Sequence, residues 1–127
     1  MDLNKIHEDQ RGVIYSIVGD PITYEEVSFL STKAGLARGG CIHNENSEHL
    51  CVIQGEISYF YRLPGETDMR CVSLTAGQGI TVPPCTPHYM VSITDSIIME
   101  WGCKISEKQE KHAELRAIVN AINATQI

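Results

Sequence analysis

The chain has 127 residues, 43% of them apolar and 20% charged, with a formal net charge of -6. That length fits one domain with one core of ordinary size, and the composition is that of a folded globular protein. The acidic balance argues against nucleic-acid and anionic-membrane partners, which need clustered Lys and Arg, and no run approaches the roughly 18 apolar residues of a membrane span.

The opening segment, "MDLNKIHEDQRG", lacks the apolar stretch of a secretory signal. Five cysteines (Cys41, Cys51, Cys71, Cys85 and Cys103) are odd in number, scattered and never in a C-x-x-C pair. A disulfide framework is therefore not expected, and a reducing cytoplasm is the expected setting.

From about residue 12 the chain reads as short strands: "VIYSIV" (13–18), "EVSFLST" (26–32), "EHLCVIQ" (48–54) and "ISYFYR" (57–62). "MRCVSLT" (69–75), "GITVP" (79–83), "HYMVSI" (88–93) and "SIIMEW" (96–101) follow. All are rich in β-branched or aromatic residues, with turn signals such as "LPGE" and "AGQG" between them. Many short strands without intervening helical periodicity indicate an all-β sandwich or barrel.

The period then changes. Leu115, Ile118, Val119 and Ile122 recur as one apolar helical stripe. Ser106 and Gln109 match a capping box, so a helix is expected from near residue 107, lying on the barrel or on a partner subunit. The division expected is a β-barrel over 1–104 and a helical segment over 105–127.

Polar residues converge on paper. The segment around Cys41 reads as strand, and alternate side chains of a strand share a face, so Cys41 and His43 project the same way. The polar turn "NENS" can bring Glu48 opposite His43 on a neighbouring strand. His88 follows three prolines, which belong at a rim because they cannot donate ladder hydrogen bonds. A strand at 88–93 lying beside 41–54 would bring all four groups together.

These residues resemble the two motifs of the cupins. Gly35, Cys41, His43, Glu48 and Gly55 fall at the intervals of the first motif, with Cys41 where a histidine stands. Gly77, Pro83 and His88 meet the second, with Cys85 at its glycine and Ser92 at its asparagine. The resemblance implies a double-stranded β-helix (jelly-roll) barrel with its site inside, and often a homodimer. It also implies one divalent transition metal (Zn, Fe, Mn or Ni) on Cys41, His43, Glu48 and His88, a thiolate favouring softer ions. No organic cofactor is implied.

A narrower segment, "ARGGCIHNENSEHLCVIQGE", is similar to cupins that work on nucleotide-linked sugars, such as the 3,4-ketoisomerases and related capsule-sugar enzymes. The early "HEDQRG" (7–12) resembles the opening strand of that group and of the dTDP-sugar 3,5-epimerases. That likeness implies a small-molecule substrate and metal-free proton transfer beside a sugar ketone. His43 or His88 would be the base, Tyr59 or Tyr61 a hydroxyl donor and Arg38 the phosphate ligand. Two alternatives stay open: a metal-dependent oxygenase or lyase acting on a small acid, and a non-catalytic cupin that binds a ligand. His49 is expected to point away from the site, His7 and His112 to be exposed, and Cys51, Cys71 and Cys103 to be structural. Cys85 is the other thiol at the rim, and Glu100 and Trp101 close the last strand, with packing as the expected role of the Trp.

Overall fold

A computed structural model describes residues 2–10, 12–18, 26–103 and 110–125. In chain order the strands are β1 (Asp2–Asp9), β2 (Gly12–Val18), β3 (Val27–Thr32), β4 (Ala37–Ile42), β5 (Glu48–Gln54) and β6 (Glu56–Tyr61). Then come β7 (Arg70–Thr75), β8 (Gly79–Val82), β9 (His88–Ser92), β10 (Ser96–Trp101), β11 (Glu110–Lys111) and the helix α1 (Ala113–Ala124). The eight strands read from β-branched and aromatic runs are all present, with ends shifted by no more than a residue. Strands β1 and β11 were not anticipated: "DLNKIHED" and "EK" are too polar to show alternation.

Strands β1 and β2 form an antiparallel pair of their own. The others make two antiparallel sheets, ordered β3-β10-β5-β8 and β11-β4-β9-β6-β7. Between them lies one apolar core, in which Leu50, Val52, Ile57, Tyr59, Val82, Met90 and Ile98 are almost fully buried. Each comes from an inward-facing strand position, so burial follows the two-residue period. This is a jelly-roll barrel, as the resemblance implies.

Strands β4 and β5 are not ladder neighbours, because the turn after His43 carries the chain from one sheet to the other. Strand β9 lies beside β4, pairing Cys41 with His88, but not beside β5. The helix starts at Ala113 rather than near 107, and residues 110–111 are strand paired to β4. Ser106 and Gln109 lie outside the described residues. The N-cap is His112, whose ring accepts from Leu115 N at 3.4 Å. His112 is thus half-buried, not exposed, and its Nε2 lies 3.4 Å from Arg62.

The helix packs on its own chain. Leu115 and Val119 are buried against Ala37 and Tyr89, with Ile118 and Ile122 at the margin. At its far end the Asn123 amide accepts from Ala37 N at 2.7 Å and donates to Ala37 O at 3.1 Å. It thereby satisfies backbone groups of β4 that a further strand would otherwise take. Among the described residues, no helix is long and apolar enough to cross a membrane.

Candidate active site at one end of the barrel

His43 follows the last residue of β4, Glu48 opens β5, His88 opens β9 and Glu100 is next to last in β10. Because β9 runs antiparallel to β4, and β10 to β5, all four residues fall at the same end of the sandwich. Glu48 Oε2 lies 2.6 Å from His88 Nε2 and 3.4 Å from His43 Nε2. The two imidazole rings are 5.5 Å apart between centroids, and Tyr59 stacks on His88 at 5.9 Å with the planes 15° apart. His88 Nδ1 bonds the Thr86 carbonyl at 2.9 Å, which makes Nδ1 the donor and turns Nε2 toward Glu48.

A cavity of about 190 Å³ opens over this group. Arg38, Cys41, Tyr59, Glu100 and Arg116 join His43, Glu48 and His88 in its wall. It is smaller than the roughly 300 Å³ usual for a drug-sized ligand, and suits a single sugar ring rather than a whole nucleotide sugar. A second cavity, of about 620 Å³, lies by the β3–β4 turn and shares Arg38 with the first.

Burial works against charge here, and neighbours decide the outcome. Burial alone would raise Glu48, but the charge of His88 and the close contacts of both imidazoles bring it down to about 2. Burial likewise opposes the His88 cation, yet Glu48 pushes its pKa up to about 9, helped by the Thr86 carbonyl. Glu100 is driven up to about 8 by burial, then by the charge of Glu48 and its hydrogen bond to that residue. Tyr59 is raised well above its ordinary value, first by burial and then by the two carboxylates. At neutral pH the site therefore holds a carboxylate, an imidazolium, a neutral carboxylic acid and a neutral phenol.

The sign of the pH dependence follows for metal-free protein. Glu48 stabilises the fold above its ordinary 4.5, and this is lost as pH falls through about 2. His88 stabilises fully below 6.5, and this is lost as pH rises through about 9. Glu100 binds its proton more tightly folded than unfolded, so it also lowers stability between 4.5 and about 8. Melting temperature should fall by several degrees from pH 5 to pH 9. Glu100→Gln should flatten that fall below pH 8 and leave the His88 part. Parallel curves for the two proteins in a scanning calorimeter would contradict this.

The sequence-derived residues divide clearly. His43, Glu48 and His88 offer ligand atoms within 4.8 Å of one another. Cys41 lines the same cavity but is not in that group; burial raises its thiol, with Arg116 partly offsetting the effect. Of the two tyrosines, Tyr59 is buried in the cavity wall, while Tyr61 stands 5.9 Å from it and packs at the core margin. Arg38 lines the cavity, with Nε donating to Thr32 Oγ1 and Nη2 to the Ser31 carbonyl, both at 2.8 Å. His49 points elsewhere, stacking on Trp101 and bonding Thr81. Cys85, at the motif's glycine, has a φ of 63°, the left-handed backbone that glycine adopts without strain.

Glu100 and Arg116 were missed. Glu100 had a signal: it shares the inward parity of Ser96 and Ile98, where a carboxylate is out of place. Arg116 had none, since its approach to β4 depends on helix docking.

The three-ligand group also suits a divalent cation. Two imidazole nitrogens and a carboxylate oxygen converge, and Glu48 Oε2 is buried without a properly aligned hydrogen-bond donor.

No protein family matches the sequence, and no curated protein resembles it closely enough to count as a match. Solved structures do match. QdtA, a sugar 3,4-ketoisomerase from Thermoanaerobacterium thermosaccharolyticum in complex with TDP, is 14% identical with a TM-score of 0.70, over 99% of this chain and 94% of that one. The dTDP-4-dehydrorhamnose 3,5-epimerase from Sulfolobus tokodaii is 15% identical with a TM-score of 0.64, over 80% and 68%. Drosophila melanogaster CENP-C, bound to CAL1, is 16% identical with a TM-score of 0.58, over 72% and 71%. The fold is thus the one seen in nucleotide-sugar cupins, and a fold alone does not assign an activity.

Proposed function

We propose that this chain is a sugar isomerase or epimerase that moves a proton beside a ketone of a nucleotide-linked sugar. The observation that carries the reading is the buried Glu48–His88 ion pair, with Tyr59 stacked on His88, in the wall of a cavity of about 190 Å³. A proton next to a carbonyl leaves only if a base is in place and the developing enolate oxygen is stabilised. His88, held as a cation with one N–H on Thr86 and the other on Glu48, places positive charge beside that oxygen and is not the base. His43 takes the proton, and the Glu48 carboxylate lies against both imidazoles when it does. Tyr59, kept neutral, offers its hydroxyl as the donor to that oxygen or as the source of the returning proton.

The cavity holds the sugar, and the nucleotide extends outward past Arg38 toward the larger cavity. Similarity to a ketoisomerase solved with TDP supports this substrate class. Thermal shift with dTDP, UDP and GDP tests it. At least one should raise the melting temperature, and no response to any of the three would count against the reading.

A second reading rests on the ligand group itself. His43, Glu48 and His88 would hold a divalent ion, which supplies Lewis acidity toward a substrate carbonyl. Elemental analysis of protein purified without a histidine tag decides it. Near-stoichiometric metal is expected on this reading. Trace metal, with no loss of stability in chelator, would remove it.

A further inference from the structure

Strand β4 is broken by a register shift between Gly39 and Cys41. Gly39 and Gly40 both have left-handed backbone, with φ of 105° and 81°. A Cβ on Gly40 would stand 2.7 Å from Arg116 Cδ and 3.0 Å from Arg116 N. Only glycine therefore lets the helix lie so close, and the side chain that fills the space is Arg116.

That guanidinium is fixed and still has donors to spare. One Nη donates to the Gly39 carbonyl at 2.7 Å, and the other reaches Asn120 Oδ1 at 3.4 Å. Arginine has five N–H donors, so these two bonds leave three, in a group that walls the cavity with Cys41 and His88. Arg38 enters the same wall from β4, itself held by Thr32 and Ser31. Two permanently charged, pre-oriented guanidinium groups thus border one small cavity in a chain of net charge -6. Their planar forks match phosphate oxygens, and Arg116 keeps N–H donors that the protein does not use.

We propose that Arg38 and Arg116 form an anion clamp for the phosphate or diphosphate of the substrate, so that the C-terminal helix supplies a specificity-determining residue. This rests on the nucleotide-linked substrate proposed above and adds the helix to its site. The helix then does more than cover β4: it completes the recognition surface.

Isothermal titration of wild type, Arg38→Gln, Arg116→Gln and Arg116→Lys with dTDP, UDP, GDP, pyrophosphate and uncharged thymidine tests the clamp. Arg116→Gln should weaken nucleoside diphosphate and pyrophosphate binding about 10-fold or more, leave thymidine unchanged, and be partly rescued in Arg116→Lys. Wild-type affinity in Arg116→Gln, with a loss in Arg38→Gln, would overturn the role of Arg116 and leave the substrate class standing. Pyrophosphate binding that is lost in Arg116→Gln, without any nucleotide response, would support the clamp and remove the nucleotide reading. Wild type binding none of the anions would end both.

Should Arg116→Gln fail to fold, phenylglyoxal labelling of wild type gives the same answer. Peptide mapping should find Arg38 and Arg116 protected by dTDP and Arg70 not. Equal labelling of Arg116 with and without dTDP would overturn the proposal.

Discussion

Glu48→Gln is expected to cost metal-free protein about 3 to 5 kcal/mol of stability near pH 6, the loss usual when one partner of a buried ion pair is removed. Glu48 is only 5% exposed and His88 6%, so solvent screens neither. The glutamine amide keeps the shape but not the charge. The His88 cation then loses what holds its pKa near 9, and burial becomes the dominant influence. The imidazole should therefore titrate below its ordinary 6.5 in the variant, which NMR of the ring protons reads directly. Urea unfolding at pH 6 supplies the stability change. The Glu48→Gln/His88→Gln double variant should cost clearly less than the sum of the two single changes, because the interaction is lost only once. Additive losses would mean that the 2.6 Å contact does not stabilise the fold.

The second large effect is on chemistry. His88→Asn should lower turnover of a keto-sugar nucleotide by about 10²- to 10³-fold, the range for loss of one electrostatic stabiliser of a developing oxyanion. His88 is suited to that role because Thr86 fixes its Nδ1 and Glu48 keeps its ring protonated. Asparagine retains a polar group without the charge. Nucleotide affinity should change little, since the proposed clamp puts the phosphates on Arg38 and Arg116 rather than on the imidazole. A variant with wild-type turnover would take His88 out of the reaction. One that loses nucleotide binding instead would make His88 a binding group.

The barrel was legible because its strands announce themselves. In "EHLCVIQ" and "ISYFYR", Leu50, Val52, Ile57 and Tyr59 alternate with more exposed residues or with the other face, and glycines mark the turns. Strand β1 was not, because Asp2–Asp9 gains its conformation from pairing with β2 and not from a pattern of its own. The helix was read in the right region from Leu115 and Val119, but started too early. His112, not a Ser or Asp, caps it, and Glu110–Lys111 are drawn into pairing with β4.

The site was legible for a related reason. His43, Glu48 and His88 stand at strand ends, and antiparallel pairing gathers those ends. Glu100 completes the group from β10, and only the identity of the inward face of that strand could have exposed it. Arg116 depends on a contact between segments 76 residues apart in number, Gly40 and the helix, which no local pattern encodes.

The measurement closest to the central claim is proton exchange in D2O, followed by NMR. Wild-type protein is incubated with TDP-4-keto-6-deoxyglucose, the sugar nucleotide bound in a solved ketoisomerase structure. Deuterium should enter at a carbon next to the ketone with wild type and be slowed by orders of magnitude with His88→Asn. A wild-type protein that binds this nucleotide yet leaves both adjacent carbons protonated would contradict the account.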